Sequence, residues 1–203
     1  RQVGKSYLLE HLFGKEQFNN VFKLNFDEDD NAHALFVPTR TASDVLGRIS
    51  LYIGKDFDPD NDLLFFDEIG YCQQALDSLK YFNEQRPDVF LCASGSNIGL
   101  LKSFPVGQNY DLTLYPMTFQ EFVMASGNAP LIRAFERAER NDIVHIRLSE
   151  LYSHYLFVGG MPEAVAQWVA SKDQSVVLRQ RQVRQIQQDI LNGYERDFGK
   201  YSG

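Results

Sequence analysis

The chain is poor in cysteine, in histidine and in net positive charge, and each shortage argues against a class of function. Cys72 and Cys92 are its two cysteines, and they have neither metal-ligand spacing nor the pattern of a disulfide framework. Cys92 lies in an apolar run, as a small core hydrophobe does. The four histidines, His11, His33, His145 and His154, are scattered and suggest neither a metal site nor a catalytic triad. No stretch approaches the ~20 apolar residues that cross a bilayer, and no signal-type segment precedes the first motif. With 20 Lys and Arg against 27 Asp and Glu, the formal net charge is -7. The chain as a whole is therefore not built to be drawn to nucleic acid, although a local basic patch stays open. Internal repeats and low-complexity linkers are missing too. What remains is the composition of an ordinary soluble globular protein, 44% hydrophobic and 23% charged over 203 residues. That length suits one domain, or one domain and a small appendage. A cytoplasmic protein without membrane attachment is expected.

Strand and helix signals alternate along the first two thirds. Leu8, Leu9, Leu12 and Phe13 recur at helical spacing after Lys5, and Gly14 reads as a stop. Val21, Phe22, Leu24 and Phe26 make a short strand running into the acids Asp27 to Asp30. "TASDVLGRISLYIG" is helical. Leu63 to Phe66 form a buried strand with Asp67 and Glu68 at its end. "ALDSLKYFNEQ" is a helix closed by Pro87, and "VFLCASGSN" is another buried strand. "DLTLYP" predicts a fourth strand leading into a helix, where Thr118 and Glu121 have capping-box spacing and Gly127 follows. Such alternation predicts an α/β fold with a mainly parallel sheet covered on both faces. After about residue 130 the strand signals stop. Leu148, Leu151, Tyr152, Tyr155 and Leu156 share one helical face, and Val183, Ile186, Ile190 and Tyr194 share another. The expected division is a core over 1–140 and a helical subdomain over 141–203, with Gly159, Gly160 and Pro162 as a hinge.

Gly4-Lys5-Ser6 before an apolar helix is the tail of the phosphate-loop pattern G-x-x-x-x-G-K-[ST]. Such a loop aims backbone amides and a helix N-terminus at an anion, sets a lysine on the outer phosphates and a hydroxyl on magnesium. Gln2, Val3, Gly4, Lys5, Ser6 and Tyr7 are thus the candidate nucleotide-binding residues. The plainer alternative is a glycine turn entering a helix. The pattern's first glycine would lie two places before Arg1, so the sequence reads as a fragment of a longer protein. Asp67 and Glu68 supply the partner motif. A carboxylate at the carboxyl end of a buried strand can join Ser6 in holding Mg²⁺, and the next can orient and deprotonate an attacking water. Their plainer role is to cap the following helix. The two motifs lie one strand-helix-strand excursion apart, and each strengthens the other. Ser94, Ser96 and Asn97 end the next strand, where short polar groups either contact a terminal phosphate or form an ordinary turn.

Together these residues resemble the AAA-type P-loop ATPases of bacteria and archaea that usually carry a C-terminal domain of unknown function. Arg1 to Ser6 match the family's phosphate loop, Asp67-Glu68-Ile69 its acidic strand end, and Gly95-Ser96 its sensor strand. Leu114 to Phe122 match its L-x-P-M-x-F-x-E-F, Val158 to Val165 its V-G-G-M-P-E-A-V, and Tyr194 to Tyr201 its Y-x-x-D-F-x-K-Y. The resemblance implies a P-loop NTPase with an AAA+-like core followed by a helical lid. It implies ATP and Mg²⁺ as ligands, with Lys5 and Ser6 on phosphates and metal, Asp67 on the metal, Glu68 as the activator of water and Ser96 as sensor. By the same resemblance, hydrolysis would drive a conformational change on an unidentified protein or nucleic-acid partner, in a possible homo-oligomer. Two departures stand out. The strand before the loop lies in mid-sheet in this fold, so its absence should leave unpaired ladder groups. Gln108 stands where the family commonly has an arginine, which motivates the alternative of a nucleotide-binding scaffold with little hydrolysis. A GTPase is disfavoured because N-K-x-D is missing, and a kinase because no acceptor site is evident.

Arg133, Arg137 and Arg140 are candidates for an arginine finger, though such a run is more often a solvated helix face. The same choice applies to nucleic-acid contacts by Arg179, Arg181 and Arg184. The acids Asp27 to Asp30 have no role beyond ending a strand.

Overall fold

The structure is a computed structural model that describes residues 2–37, 41–96 and 110–201, the last five as helix backbone alone. Asn97 and Gln108 lie outside the described residues. The chain divides into two compact units, Val3–Thr113 and Leu114–Gly203.

The first unit is built on three parallel strands, β1 (Asn20–Asn25), β2 (Asp62–Asp67) and β3 (Leu91–Ala93), in the order β1-β2-β3. Strand β2 is central and buried along its whole length, as its unbroken apolar run requires. Alternation sorts the side chains to two faces. On one face Phe22, Leu24, Leu64 and Phe66 join Val45 and Ile49 of helix α4 (Ala42–Ile53) and Leu76 and Phe82 of helix α5 (Gln73–Gln85) in one core. Phe66 meets Phe26, Phe36 and Phe82 edge to face, a geometry that aromatic quadrupoles favour. Helix α4 ends at Gly54, whose φ of 75° and N–H bond to the Ser50 carbonyl form a left-handed cap. Asp29 gains a role that the sequence reading lacked. Its side chain caps helix α3 (Asp30–Ala34) and accepts the Tyr52 hydroxyl at 2.6 Å.

The opposite face of β1 and β2 meets the segment that follows Gly4. Here the structure departs from the expected α-helix. One α-turn, α1 (Lys5–Tyr7), passes into a π-helix over Leu8–Gly14 and then into α2 (Lys15–Gln17). Gly14 does not stop the helix; it is buried where a Cβ would come within 2.6 Å of Val21 Cγ2 and 2.7 Å of the Leu9 carbonyl. The missing side chain permits close approach of helix and sheet. A second departure is "DLTLYP", which forms no strand. Tyr110 and Leu112 are fully solvent-exposed, and a strand has no stability without a ladder partner, which none of the described residues supplies.

The second unit is helical over its described residues. It contains α6 (Phe119–Ala125), α7 (Ala129–Glu136), α8 (Asp142–Val158), α9 (Pro162–Ala170) and α10 (Val176–Tyr201). The Thr118–Glu121 capping box forms with both reciprocal bonds. Phe122, Val158, Val165, Trp168 and Val183 make its core. Gly160 packs on the backbone of Met117, whose N–H donates to the Gly160 carbonyl at 2.7 Å. Arg179 lies 3.7 Å from the Trp168 ring centroid and donates to the Trp168 carbonyl at 2.8 Å, and Arg184 covers Phe157. Two of the three late-helix cations are thus engaged in packing, while Arg133, Arg137 and Arg140 are exposed. Among the described residues no helix is long and apolar enough to cross a membrane.

The contrast between two helical glycines is testable. Gly14→Ala should lower the urea unfolding free energy by about 1–3 kcal/mol through overpacking. Gly47→Ala, on α4 with open space around it, should raise it by about 0.4–1 kcal/mol. Equal effects at the two positions would refute the close approach at Gly14.

Candidate functional site

The turn that opens the chain is set by two left-handed residues, Gln2 at φ 56° and Gly4 at φ 87°. Glycine adopts that conformation freely and glutamine does not, so Gln2 holds local strain. Gly4 is the N-cap of α1. Val3, Gly4, Lys5 and Ser6 are half-buried, and Tyr7 is exposed.

Ser6 meets the acidic strand end directly. Its hydroxyl donates to Asp67 Oδ1 at 2.8 Å, across 61 positions of sequence. Asp67 terminates β2 at 3% exposure, so water compensates little of its carboxylate and protein groups must do so. The Ser94 hydroxyl donates to the same Oδ1. Ser94 is held for this by its own backbone, with its N–H on the Phe66 carbonyl at 2.8 Å and its carbonyl accepting the Ile69 N–H at 2.9 Å. Lys23 Nζ stands 3.3 Å from Asp67 Oδ2 and 2.7 Å from Glu10 Oε2. Partial burial works against the Lys23 charge. The Glu10 hydrogen bond and the Asp67 charge outweigh it and raise the ammonium above the ordinary lysine pKa.

Glu68 turns away from this cluster. Its φ of 49° sends the chain out of β2 into a 3-10 turn, Ile69–Tyr71. Its carboxylate accepts the Ser96 N–H at 3.3 Å and the Ser96 hydroxyl at 3.2 Å. Glu68 holds the N-cap position of that 3-10 turn without a side-chain capping bond, and the N-cap of α5 is Cys72, so neither carboxylate satisfies a helix amide as the plainer reading of the pair expects.

The structure therefore brings together Ser6, Asp67 and Ser94 from the sequence candidates, and pairs Glu68 with Ser96. Ser94 sits on Asp67. Lys23 and Glu10 were missed, although a lone charge inside "VFKLNF" was a visible signal. Burial pushes the Cys72 and Cys92 thiols up, away from nucleophilic chemistry. A groove lined by Ser43, Gly47, Ser50, Phe57 and Arg86 borders α4, and none of the candidate residues contributes to it.

Among the described residues no three His, Cys, Asp or Glu side chains form a metal cage. Mg²⁺ in a nucleotide complex needs none, because it keeps waters and takes one or two protein oxygens beside the phosphates. The adjacent Ser6 hydroxyl and Asp67 carboxylate are oxygen donors of that kind, and they fit such an ion.

A family model described as an AAA domain matches residues 1–123, which include the turn, all three strands and both acids. A second, described as a domain of unknown function (DUF8612), matches residues 149–203. No curated protein and no solved structure matches the chain.

Removing one donor from the buried carboxylate should be costly. Ser94→Ala is expected to lower the urea unfolding free energy by about 1.5–3 kcal/mol, the range for hydrogen bonds to charged groups. Ser96→Ala, whose partner Glu68 keeps access to water, should cost less than about 1 kcal/mol. The reverse order would contradict the packing described for Asp67.

Proposed function

Because the chain belongs to the family of AAA domains, we propose that its first unit binds ATP with Mg²⁺ and hydrolyses it to ADP and phosphate. The observation that carries this reading is the Ser6–Asp67 hydrogen bond, which joins two motifs that are each weak alone. In this reading the Val3–Tyr7 backbone wraps the phosphates at the start of a helix, where amides and the helix dipole favour anions. The Lys5 ammonium neutralises the outer phosphates. Ser6 and Asp67 hold Mg²⁺, which when bound neutralises phosphate charge and favours loss of the terminal phosphoryl group. Glu68 orients the attacking water and takes its proton.

Ser96 has a part that follows from its bonds. Two donors engage both oxygens of the Glu68 carboxylate and hold it to one position. Turnover needs Ser96 to redirect its hydroxyl, and a terminal phosphate oxygen is the acceptor that would draw it. That is a sensor's task. The helical unit would act as a lid that passes the change to a protein or nucleic-acid partner within a homo-oligomer. A second reading, a nucleotide-binding scaffold that hydrolyses little, is favoured by the same hold of Ser96 on Glu68.

Binding of a fluorescent ATP analogue and phosphate release, both measured on the full-length protein with Mg²⁺, separate the readings. Lys5→Ala should weaken binding at least about tenfold, the loss of roughly 1.4 kcal/mol or more. Glu68→Gln should keep binding and slow phosphate release about 10²–10⁴-fold. Binding without turnover in the parent protein supports the scaffold. Absence of binding would return Gly4-Lys5-Ser6 to the status of a helix start.

A further inference from the structure

Strand β1 carries a single charge, Lys23, at an otherwise apolar centre. The parallel register sets Lys23 opposite Phe65 and Asn25 opposite Asp67, so Lys23 and Asp67 are diagonal neighbours on one face of the sheet. Diagonal neighbours on one face of a sheet lie within reach of long side chains. Lysine reaches across here, with its ammonium 5.7 Å from the Phe65 ring centroid on the way. It ends between two carboxylates, 3.3 Å from Asp67 Oδ2 and 2.7 Å from Glu10 Oε2. Glu10 belongs to the π-helical segment that follows the loop.

The two oxygens of Asp67 are thus differently occupied. Oδ1 accepts the hydroxyls of Ser6 and Ser94, while Oδ2 faces the ammonium. The Asp67 side chain is only 4% exposed, so Lys23 supplies charge that solvent does not. A divalent cation arriving at the same carboxylate meets that ammonium within a few ångströms. The two cations repel, and the shorter contact to Glu10 gives the ammonium a second place to rest.

We propose that Lys23 is the standing counter-ion of Asp67: it positions the carboxylate before Mg²⁺ arrives, competes with Mg²⁺ for it, and withdraws onto Glu10 when the metal binds. This rests on the reading of Asp67 as a Mg²⁺ ligand. Lys23 is then a positioning residue that sets how much Mg²⁺ the nucleotide complex requires. Glu10 ties the same event to the helix after the loop.

The test reads a fluorescent ATP analogue, held at fixed concentration on the full-length protein, across a Mg²⁺ titration starting in chelator. Lys23→Met should lower the Mg²⁺ midpoint about tenfold by removing the competing charge. It should also lower the unfolding temperature in chelator, where Asp67 has lost its counter-ion. Glu10→Gln should raise the midpoint about threefold, because the ammonium is left with Asp67 alone. Opposite shifts support the proposal, whereas a purely structural ion pair would weaken binding in both variants or leave both midpoints unmoved. Either of those outcomes overturns it while the nucleotide reading stands. If Lys23→Met fails to fold, the Glu10→Gln shift decides, upward in support and unchanged or downward against. A parent protein that binds no analogue at any Mg²⁺ concentration removes the nucleotide reading and this inference with it.

Discussion

A carboxylate at the end of a strand buried on both faces is stable only if the surrounding protein supplies what water would have given. Asp67, at 3% exposure, obtains this from three directions: Ser6 from the first turn after the loop, Ser94 from beyond β3, and Lys23 from β1. The strand on one side of β2, the residue after the strand on its other side, and the helix laid across the sheet each bring one group to a single side chain. Disturbing any of them leaves polar atoms unmatched in an apolar setting, which costs more than the lost bond itself. The apolar run of β2 creates the problem by burying Asp67. The fold around it is the solution.

The neighbouring Glu68 shows how one residue of backbone separates two chemistries. Asp67 lies within the strand and is held by hydroxyls and an ammonium. Glu68 leaves the strand at φ 49°, half-buried, and answers only to Ser96 in the contacts described. The two adjacent carboxylates thus stand in different surroundings, one buried and held from three sides, the other half-buried and held by one serine. The second unit works on other terms. Arg179 and Arg184 stack on Trp168 and Phe157, so two cations there help close a helical core.

Much of this is legible in the sequence. The strands at Val21–Leu24 and Leu63–Phe66, the helices after Thr41 and before Pro87, and the Thr118–Glu121 box all follow from local periodicity and capping, which depend on nearby residues. What stayed hidden depends on pairing over distance. The reach of Lys23 to Asp67 needs the β1–β2 register, which one sequence does not state. Ser94 reads in the sequence as a phosphate contact or as part of an ordinary turn, and its bond to Asp67 follows from its place beside β2. The π-helical turn over Leu8–Gly14 has no local signature, because Leu8, Leu9, Leu12 and Phe13 satisfy an α-period as well. "DLTLYP" has strand composition, yet ladder partners make strands.

In the proposed ATPase reading the loop and the two strand-end acids form one nucleotide site. Amide hydrogen exchange with and without Mg²⁺-ATP tests this most directly, because it locates the response along the chain. The expected result is slowed exchange at Val3 to Leu8 and at Glu68 to Tyr71, with the groove lined by Ser43, Gly47 and Ser50 unchanged. Protection confined to that groove, or no protection at the loop when nucleotide is bound, would contradict it.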